Sequence, residues 1–438
     1  MIRHSHSIKT MKAHTLILAI ASCLSLTAYG QDPISRRAQS LSSDHLLGSY
    51  ILEALENNPS LQAAESRYEA ARASIDSARA LPDPKLQITH FVESIQTRTG
   101  PQRQAISLQQ PIPWLGKLDR MRDMAQAESE SLWHAYAQQQ FTLVDDVAEQ
   151  GLEIAYLDQT IEITRQNVAL LRRLESVVEN KVKSGGELSD LLKLQVEIQR
   201  FQDLAAKQET QRFAAEVQLA SLLGRNDGPA VLNAPLREPD PISADLELWL
   251  STIKERSPQL AMLRSLESGK SARERLAQYA SKPDFSVGVN YIRTGDALNP
   301  ATPGSGKDPW AVMVGVSLPI WGKANNAISL RASLEKEAIQ AEIRSLELQL
   351  ESDGRAWIAR LEDAQDRIQR YQTQLLPLAR QAQEITEAGY QSGKASILDL
   401  IDSDRALLSL ETEYWRVVAD CWLARWKLAT LSGGLWLD

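Results

Sequence analysis

Two carboxylates near the end of the sequence are the residues whose types and spacing first suggest chemistry. Asp399 and Asp402 stand three positions apart in ILDLIDSD, so on a helix they would share one face. Paired carboxylates can attract cations, but the simpler interpretation of these residues alone is a solvated helix face. The pair stays a candidate until the elements that position it are considered.

Motifs for other kinds of chemistry are missing from the sequence. The stretch GSGK at Gly304–Lys307 lacks the earlier glycine and the following Ser or Thr of a phosphate loop, and it joins two predicted strands. Beyond residue 31 the histidines are His45, His90 and His134, none at ligand spacing, so we expect no metal site. Without a nucleophile elbow, a zinc-binding His-Glu motif or a dinucleotide loop, we predict neither an enzyme nor a cofactor.

Composition narrows the class of protein further. A net charge of −8 argues against nucleic acid as a partner, because binding phosphates requires a basic surface. With 43% hydrophobic and 6% aromatic residues, the chain fits a helix-rich protein better than a disordered one. Cys23 and Cys421 are too few for a disulfide framework.

Residues 1–30 are predicted to be an export signal. Lys12 supplies positive charge, TLILAIASCLSLT forms an apolar core, and small residues before Gln31 offer a cleavage site. Alternatively IASC is a lipobox, which would make Cys23 the lipidated first residue. The apolar run that continues past Cys23 favours the ordinary signal peptide, and either way we expect the chain to leave the cytoplasm.

Two copies of one structural unit follow each other at a spacing of about two hundred residues. The order of landmarks is the same in both copies. Corresponding residues are Pro59 and Pro258, Pro82 and Pro283, Trp114 and Trp321, and Ser184-Gly185 and Ser392-Gly393. We therefore predict a first repeat over 31–230 and a second over 231–438.

Each repeat is predicted to contain a helix, a strand pair, a long helix, a turn and a further helix. Apolar residues at helical spacing predict single helices from Tyr50 to Ala80 and from Leu246 to Ala280. The prolines of the two Pro-Asp pairs then end these helices. The chain should thus be mainly α with a small β part.

Alternating apolar residues predict the strands. In SVGVNYI, Val287, Val289 and Tyr291 fall on one face, with Gly288 and Asn290 on the other, and AVMVGVSLP alternates likewise. The pattern fits an ordinary half-buried sheet or strands between lipid and an aqueous lumen; the export signal and the helices favour the second. The connecting segments IQTRTGPQRQ and RTGDALNPATPGSGKDP are predicted to be exposed loops.

Two long helices are predicted over about 117–183 and about 324–389, each on the order of 100 Å long. The flanking helices are roughly half that length, so two stacked short helices would match one long helix in a cylinder wall. Four strands cannot close a membrane barrel, whereas three chains would supply about twelve. The strand count therefore predicts a trimer, with a dimer as the less spacious alternative.

The repeated unit, the PWLGK and PIWGK exits from the strand pairs, and EAGYQSGKASILDLIDSDRALL from Glu387 resemble the TolC-type outer-membrane efflux factors. The likeness covers essentially the whole chain after the export signal. It implies a homotrimer whose long coiled-coil-like helices form a periplasmic tunnel and whose strands form a β-barrel of about twelve strands in outer-membrane lipid. Such a protein is the exit duct, in a Gram-negative-type bacterium, for an inner-membrane pump joined through a periplasmic adaptor.

The resemblance implies that each strand exit lies where barrel turns into tunnel. Proline would end strand pairing, glycine would permit a sharp redirection, and tryptophan would lie near the membrane–water interface or simply pack at the junction. The junction residues are Pro111, Trp114, Gly116, Pro319, Trp321 and Gly322.

At the other end of each long helix, the resemblance implies periplasmic tips that close the tunnel and dock the adaptor, with glycines in left-handed conformations. The tip residues are Ser184, Gly185, Gly186, Ser392, Gly393 and Lys394. Tyr390 stands where family members carry a gating tyrosine, and Asp399 and Asp402 where they carry the acidic pair of the pore constriction, whose rings would favour cations. Some relatives carry an arginine that helps to hold the closed state where this chain has Ala395. The resemblance therefore does not identify the residue that holds the closed state of this chain.

The cargo is not specified by the sequence. The exit motif most resembles the heavy-metal cation branch of the family, and a multidrug or type I secretion duct is the alternative. A secreted coiled-coil scaffold or adhesin is a candidate from a different class. It would explain the helices and the export signal, but not two strand pairs in matching places.

Overall fold

The computed structural model describes residues 47–232, 235–242, 245–299 and 301–434. The predicted export signal at 1–30 and the lipidation candidate Cys23 lie outside these ranges. Among the helices of the described residues, none is both long enough and apolar enough to cross a membrane.

Helices and strands follow the same order in the two halves of the chain, as predicted. The first half contains α1 (Gly48–Asn57), α2 (Pro59–Arg79), β1 (Lys85–Thr97), β2 (Gly100–Ile112), α3 (Lys117–Lys183) and α4 (Leu188–Leu222). The second contains α5 (Leu246–Arg256), α6 (Pro258–Ala277), β3 (Asp284–Thr294), β4 (Trp310–Ser317), α7 (Gly322–Arg370), α8 (Leu376–Gln391) and α9 (Ile397–Leu431). The mainly helical fold with a small sheet is therefore confirmed.

The first helix predicted in each half is in fact two helices, separated by one residue before a proline. Asn58 separates α1 from α2, and Ser257 separates α5 from α6, with ψ angles of 119° and 120°. The proline ring pushes the preceding residue out of the helical region, so Pro59 and Pro258 each start a new helix. The prediction of one uninterrupted helix is wrong at these two positions.

A π-helical turn, Tyr371–Leu375, joins α7 to α8. The amide of Leu376 donates to the carbonyl of Tyr371, five residues back instead of four. Pro377 follows directly, and since proline lacks an amide and its ring crowds the carbonyl four residues earlier, a wider turn accommodates it. The helix then continues to Gln391, close to its predicted end.

The four strands form one antiparallel sheet in the order β1-β2-β3-β4. Between β1 and β2 the chain turns over Arg98 and Thr99 alone. Most of IQTRTGPQRQ is therefore strand, and the prediction of an exposed loop there is wrong. The predicted loop between β3 and β4 is confirmed over the described residues 295–299 and 301–309.

One face of the sheet is apolar and exposed. Two rows that cross all four strands form it: Leu86, Leu108, Val289 and Val312, and Ile88, Ile106, Tyr291 and Trp310. These side chains are 40% to 70% exposed. The row between them, on the opposite face, is Gln87, Ser107, Asn290 and Ala311. The alternation predicted for β3 and β4 is thus confirmed in these rows, which continue it through β1 and β2.

The chain groups into two compact units. The first takes in residues up to Pro59, 140–246 and 356 onwards, and the second takes in 60–139 and 247–355. Each unit draws on both halves of the sequence. The repeats over 31–230 and 231–438, and the boundary between them, stay predictions.

A large apolar cluster in the first unit is built by α3, α4, α8 and α9. Its buried members are Val168, Leu171, Leu174, Val178, Leu194, Ile198, Phe201, Tyr390, Ile397, Leu400, Ile401 and Leu408. Within α3, α4 and α9 most of them recur three, four or seven positions apart, so each of these helices turns one apolar stripe inward. This packing positions the two turns that the sequence singles out as tips.

Candidate functional site

Turn 1 comprises residues 184–187, between α3 and α4. The amide of Gly186 donates to the carbonyl of Lys181 at 2.9 Å, which closes the end of α3. Gly185 has a φ of +98°, a left-handed conformation that glycine adopts without strain. At Gly186 a Cβ would lie 2.9 Å from the Lys181 carbonyl oxygen, so this position also favours glycine. Ser184 donates its hydroxyl to the Asn180 carbonyl at 2.9 Å.

Turn 2 comprises residues 392–396, between α8 and α9, and closes in the same way. The amide of Lys394 donates to the carbonyl of Gly389 at 2.7 Å, and Gly393 has a φ of +78°. Ser392, Gly393 and Lys394 are exposed. The predicted left-handed glycines at the ends of both long helices, Gly185 and Gly393, are therefore confirmed.

Helix α9 begins with a capping box. The Ser396 hydroxyl accepts the amide of Asp399 at 3.2 Å, and the Asp399 carboxylate accepts the amide of Ser396 at 2.9 Å. The hydrogen bonds from the Ser396 backbone and side chain hold the pKa of Asp399 below its usual range. The Asp399 carboxylate therefore caps the N-terminus of α9, a structural role that its spacing from Asp402 in the sequence does not reveal.

Asp402 lies one helical turn further on and its side chain is 72% exposed. Its contact is the guanidinium of Arg405, at 3.5 Å. Arg405 also donates two hydrogen bonds to the buried carboxylate of Glu197 on α4, one of them 2.7 Å long. Among the described residues, no group of three or more His, Cys, Asp or Glu side chains could hold a metal ion.

Tyr390 is buried within the apolar cluster, in the last turn of α8. The ammonium of Lys181 donates to its carbonyl at 2.8 Å and lies 4.0 Å from the centre of its ring. Burial raises the pKa of the Tyr390 hydroxyl, and the charge of Asp190 adds to this. The predicted gating tyrosine is therefore fixed by packing on one side and by a lysine on the other.

Asp404 is a buried carboxylate on α9, 1% exposed. Gln383 on α8 donates to its Oδ1 at 3.1 Å, whereas Oδ2 has no hydrogen-bond partner among the described residues. Burial raises the pKa of Asp404 to about 6, against the opposing effect of the Gln383 hydrogen bond, and the charge of Glu387 raises it further.

Sequence reasoning missed Lys181, Glu197 and Asp404. Each is a charged residue inside an amphipathic helix, and helical spacing does not distinguish a buried charge from a solvated one. The partners of Lys181 and Glu197 stand more than two hundred positions away, at sequence separations of 209 and 208. A polar residue on the buried stripe was the one signal available, and it applies to Asp404 and Glu197.

The first strand exit is held by Asp284. This carboxylate accepts the amide of Trp114 at 2.9 Å and the ammonium of Lys117 at 2.8 Å. The Trp114 ring stacks on Phe285 with the ring centroids 5.7 Å apart. Gly116 has a φ of +83°, so the predicted redirection by glycine is confirmed here.

The second strand exit differs. Trp321 is 74% exposed, and Gly322 begins α7 without a left-handed φ, so the predicted redirection by this glycine is wrong. β4 ends at Ser317, shortly before Pro319, as predicted.

Proline does not end pairing at the first exit, because Pro111 lies inside β2, opposite Ser286. β1 pairs with β2 only as far as Gln109, so Pro111 has a neighbouring strand on one side, where a missing amide is tolerated.

The family model for outer membrane efflux proteins matches residues 50–225 and 249–434. The chain therefore belongs to the outer membrane efflux protein family, a family of efflux channels and not of enzymes. The TolC-type resemblance of the sequence is confirmed.

Two relatives show how far this likeness extends. Nodulation protein T of Rhizobium leguminosarum bv. trifolii is 21% identical over 410 residues, which cover 90% of this chain and 86% of that protein. The pyoverdine export outer membrane protein OpmQ of Pseudomonas aeruginosa is 24% identical over 220 residues, 49% of this chain and 46% of that protein.

The outer-membrane channel OprN has a similar solved structure, with a TM-score of 0.75 at 16% identity. The match covers 90% of this chain and 92% of that one. The fold of this chain is thus that of TolC-type channels.

Proposed function

We propose that this outer membrane efflux protein is the passive exit duct of a tripartite system, supplied by an inner-membrane pump through a periplasmic adaptor. The sheet is the observation that carries the proposal. It turns an exposed apolar face to one side and small or polar residues to the other, which suits strands between lipid and an aqueous lumen. A secreted coiled-coil scaffold would not require an exposed apolar sheet face of this kind.

A homotrimer is part of the proposal, and exposed stripes in the first unit support self-association. On α4, side chains at coiled-coil spacing are 46% to 60% exposed: Leu188, Leu192, Val196, Phe213 and Val217. At the start of α8 and in the π turn, Leu375, Leu378 and Ile385 form a second exposed stripe. Apolar stripes at such spacing pack against another helix, and a second copy of the chain would supply one.

We assign adaptor docking to turns 1 and 2, that is to Ser184, Gly185 and Gly186 and to Ser392, Gly393 and Lys394. These residues are exposed, and the caps described above fix their backbone. Apart from Lys394, their side chains are small and leave the backbone of both turns open to a partner that approaches closely.

We assign the acidic constriction chiefly to Asp402. Its carboxylate is exposed, whereas that of Asp399 is committed to the cap of α9 and Tyr390 is buried. Three copies of Asp402 would make a ring of negative charge that favours cations at the entrance.

The proposed cargo is heavy-metal cations, on the strength of the exit motif, with drugs or a secreted protein as the alternatives. A duct need not bind what its pump has already selected. A strain that lacks this gene should lose tolerance to metal salts and keep its tolerance to drugs. The opposite outcome would replace metal by drug export.

Single-channel recording in planar bilayers tests the duct and its acidic entrance together. The wild type should give cation-selective current, and Asp402→Asn should lower the cation-to-anion permeability ratio at least several-fold. Glu384→Gln, an exposed carboxylate on α8, is the matched control and should leave the ratio unchanged. If Asp402→Asn leaves the cation-to-anion permeability ratio unchanged, Asp402 does not line the entrance. A folded protein that never conducts would favour the scaffold.

A further inference from the structure

Lys181 contacts turn 1 and the last turn of α8 through different atoms. Its carbonyl accepts the amide of Gly186 at 2.9 Å, which closes turn 1. Its ammonium donates to the Tyr390 carbonyl at 2.8 Å, two residues before turn 2. One residue therefore joins the ends of α3 and α8, which are 209 positions apart in the sequence.

The chemistry at the end of α8 suits a cation. The Tyr390 carbonyl lies at the negative end of the dipole of α8, and although it accepts the Gly393 amide at 3.1 Å, a carbonyl oxygen has a second lone pair for the ammonium. The face of the Tyr390 ring, 4.0 Å from the ammonium, is also electron-rich. Because Tyr390 is buried in the apolar cluster, packing holds its ring and carbonyl in place.

Neighbouring lysines do not make this contact. Lys183 and Lys394 are exposed, and among the described residues neither side chain makes a hydrogen bond or an ion pair. Ala395 has no charge to contribute. The link between turn 1 and the end of α8, which we call the tie, therefore depends on Lys181.

We propose that Lys181 is a positioning residue that holds turn 2 in the conformation seen here, and that the proposed duct opens at this end only when the ammonium leaves Tyr390. This inference rests on the proposed function. Movement of the end of α8 away from α3 must break the hydrogen bond and the ring contact together, because both involve one side chain.

Lys181→Met tests the tie, because methionine keeps the length and apolar stem of the side chain and removes the charge. In planar bilayers its open probability should rise by about tenfold over the wild type, the change that about 1.4 kcal/mol produces. Lys181→Arg should restore most of the wild-type behaviour, since it keeps a cation. Lys183→Met, on the same turn of the helix, is the control and should behave as the wild type.

Hydrogen exchange at the amides of 389–396 gives a second readout that does not depend on current. These amides should exchange faster in Lys181→Met than in Lys183→Met. A merely structural role would lower the melting temperature without changing open probability or the local exchange. If Lys181→Met does not fold, Lys181→Gln takes its place.

The outcomes separate the inference from the function on which it rests. A conducting wild type with an unchanged Lys181→Met, in both current and exchange, overturns the role of Lys181 and leaves the duct standing. A wild type without current overturns the duct. In that case the exchange measurement still decides whether Lys181 holds turn 2.

Discussion

Asp404 is a buried carboxylate whose charge is only partly compensated. Gln383 serves one oxygen, the other has no partner among the described residues, and the charge of Glu387 has the same sign. A buried polar atom without a partner costs about 1–3 kcal/mol, so the packing of α8 on α9 is weaker when Asp404 is ionised. Protonation near pH 6 relieves this cost.

Asp404→Asn should therefore remove part of the pH dependence of stability. The folded pKa, about 6, lies above the unfolded value of about 4, so the folded state binds the proton more tightly. The resulting stabilisation is complete below the unfolded pKa and is lost as the pH rises through 6. Between about pH 5 and about pH 8, thermal unfolding should show the wild type losing about 1.4 kcal/mol more than Asp404→Asn.

Asp145 provides the internal control for that comparison. Burial raises its pKa to about 6 as well, so it contributes a slope of the same sign to both proteins. Its contribution cancels in the difference between them. Parallel pH profiles for the wild type and Asp404→Asn would show that Asp404 is not the source.

At the scale of elements, the two turns are closed by the same cap although their sequences differ. In both, a glycine with a positive φ lets the next amide reach back to a carbonyl in the last turn of the helix. No atom lies within 4 Å of a Cβ built on Gly185 or Gly393. The requirement for glycine there is conformational and not steric.

Gly185→Ala and Gly393→Ala should each destabilise their turn by about 1 kcal/mol, the cost of a left-handed conformation for alanine. Hydrogen exchange near each substitution should quicken accordingly. Gly322→Ala is the control: its Cβ also meets open space, but its φ is not positive, so alanine should be neutral or slightly stabilising. A similar loss at all three positions would contradict the conformational explanation.

The sequence predicts the elements well where a local rule decides. The limits of α3 follow from the Gly-Lys and Ser-Gly pairs at its two ends, and the strands from their alternation. Prediction from the sequence fails where a neighbouring element decides the conformation. Pro111 is tolerated within β2 because β1 pairs with β2 only as far as Gln109. Gly116 has a left-handed φ, whereas Gly322, at the matching place in the second half, does not. The contact between Lys181 and Tyr390 could not be predicted from the sequence for the same reason, because the two residues are distant in the chain.

At the scale of the whole molecule, two kinds of apolar surface stay exposed in the single chain. One is the face of the sheet, and the other is the pair of helical stripes in the first unit. Apolar patches of this extent mark contacts with lipid or with other chains. Substitutions in the sheet face and in the helical stripes should therefore cause different defects, in contacts with lipid and in contacts with other chains respectively.

Leu192→Glu combined with Val196→Glu should dissociate the proposed trimer, because it places two charges in the α4 stripe. In detergent, sedimentation should shift from trimer to monomer while the helix content stays unchanged. Gln211→Glu with Gln218→Glu adds the same charge to exposed positions beside the stripe and should leave the trimer intact. A stable trimer from the first variant would assign the stripe to another partner.

The π turn bears on how the long helices of the two predicted repeats can differ in length. The second copy of the long helix runs through stretches of 49, 5 and 16 residues, against 67 in the first. An extra residue in an α-helix rotates everything beyond it by about 100°, which would swing an inward-facing stripe toward solvent. A π turn absorbs such an insertion locally. One residue of the three-residue difference between the two long helices can thus be accommodated without changing the facing of the far end.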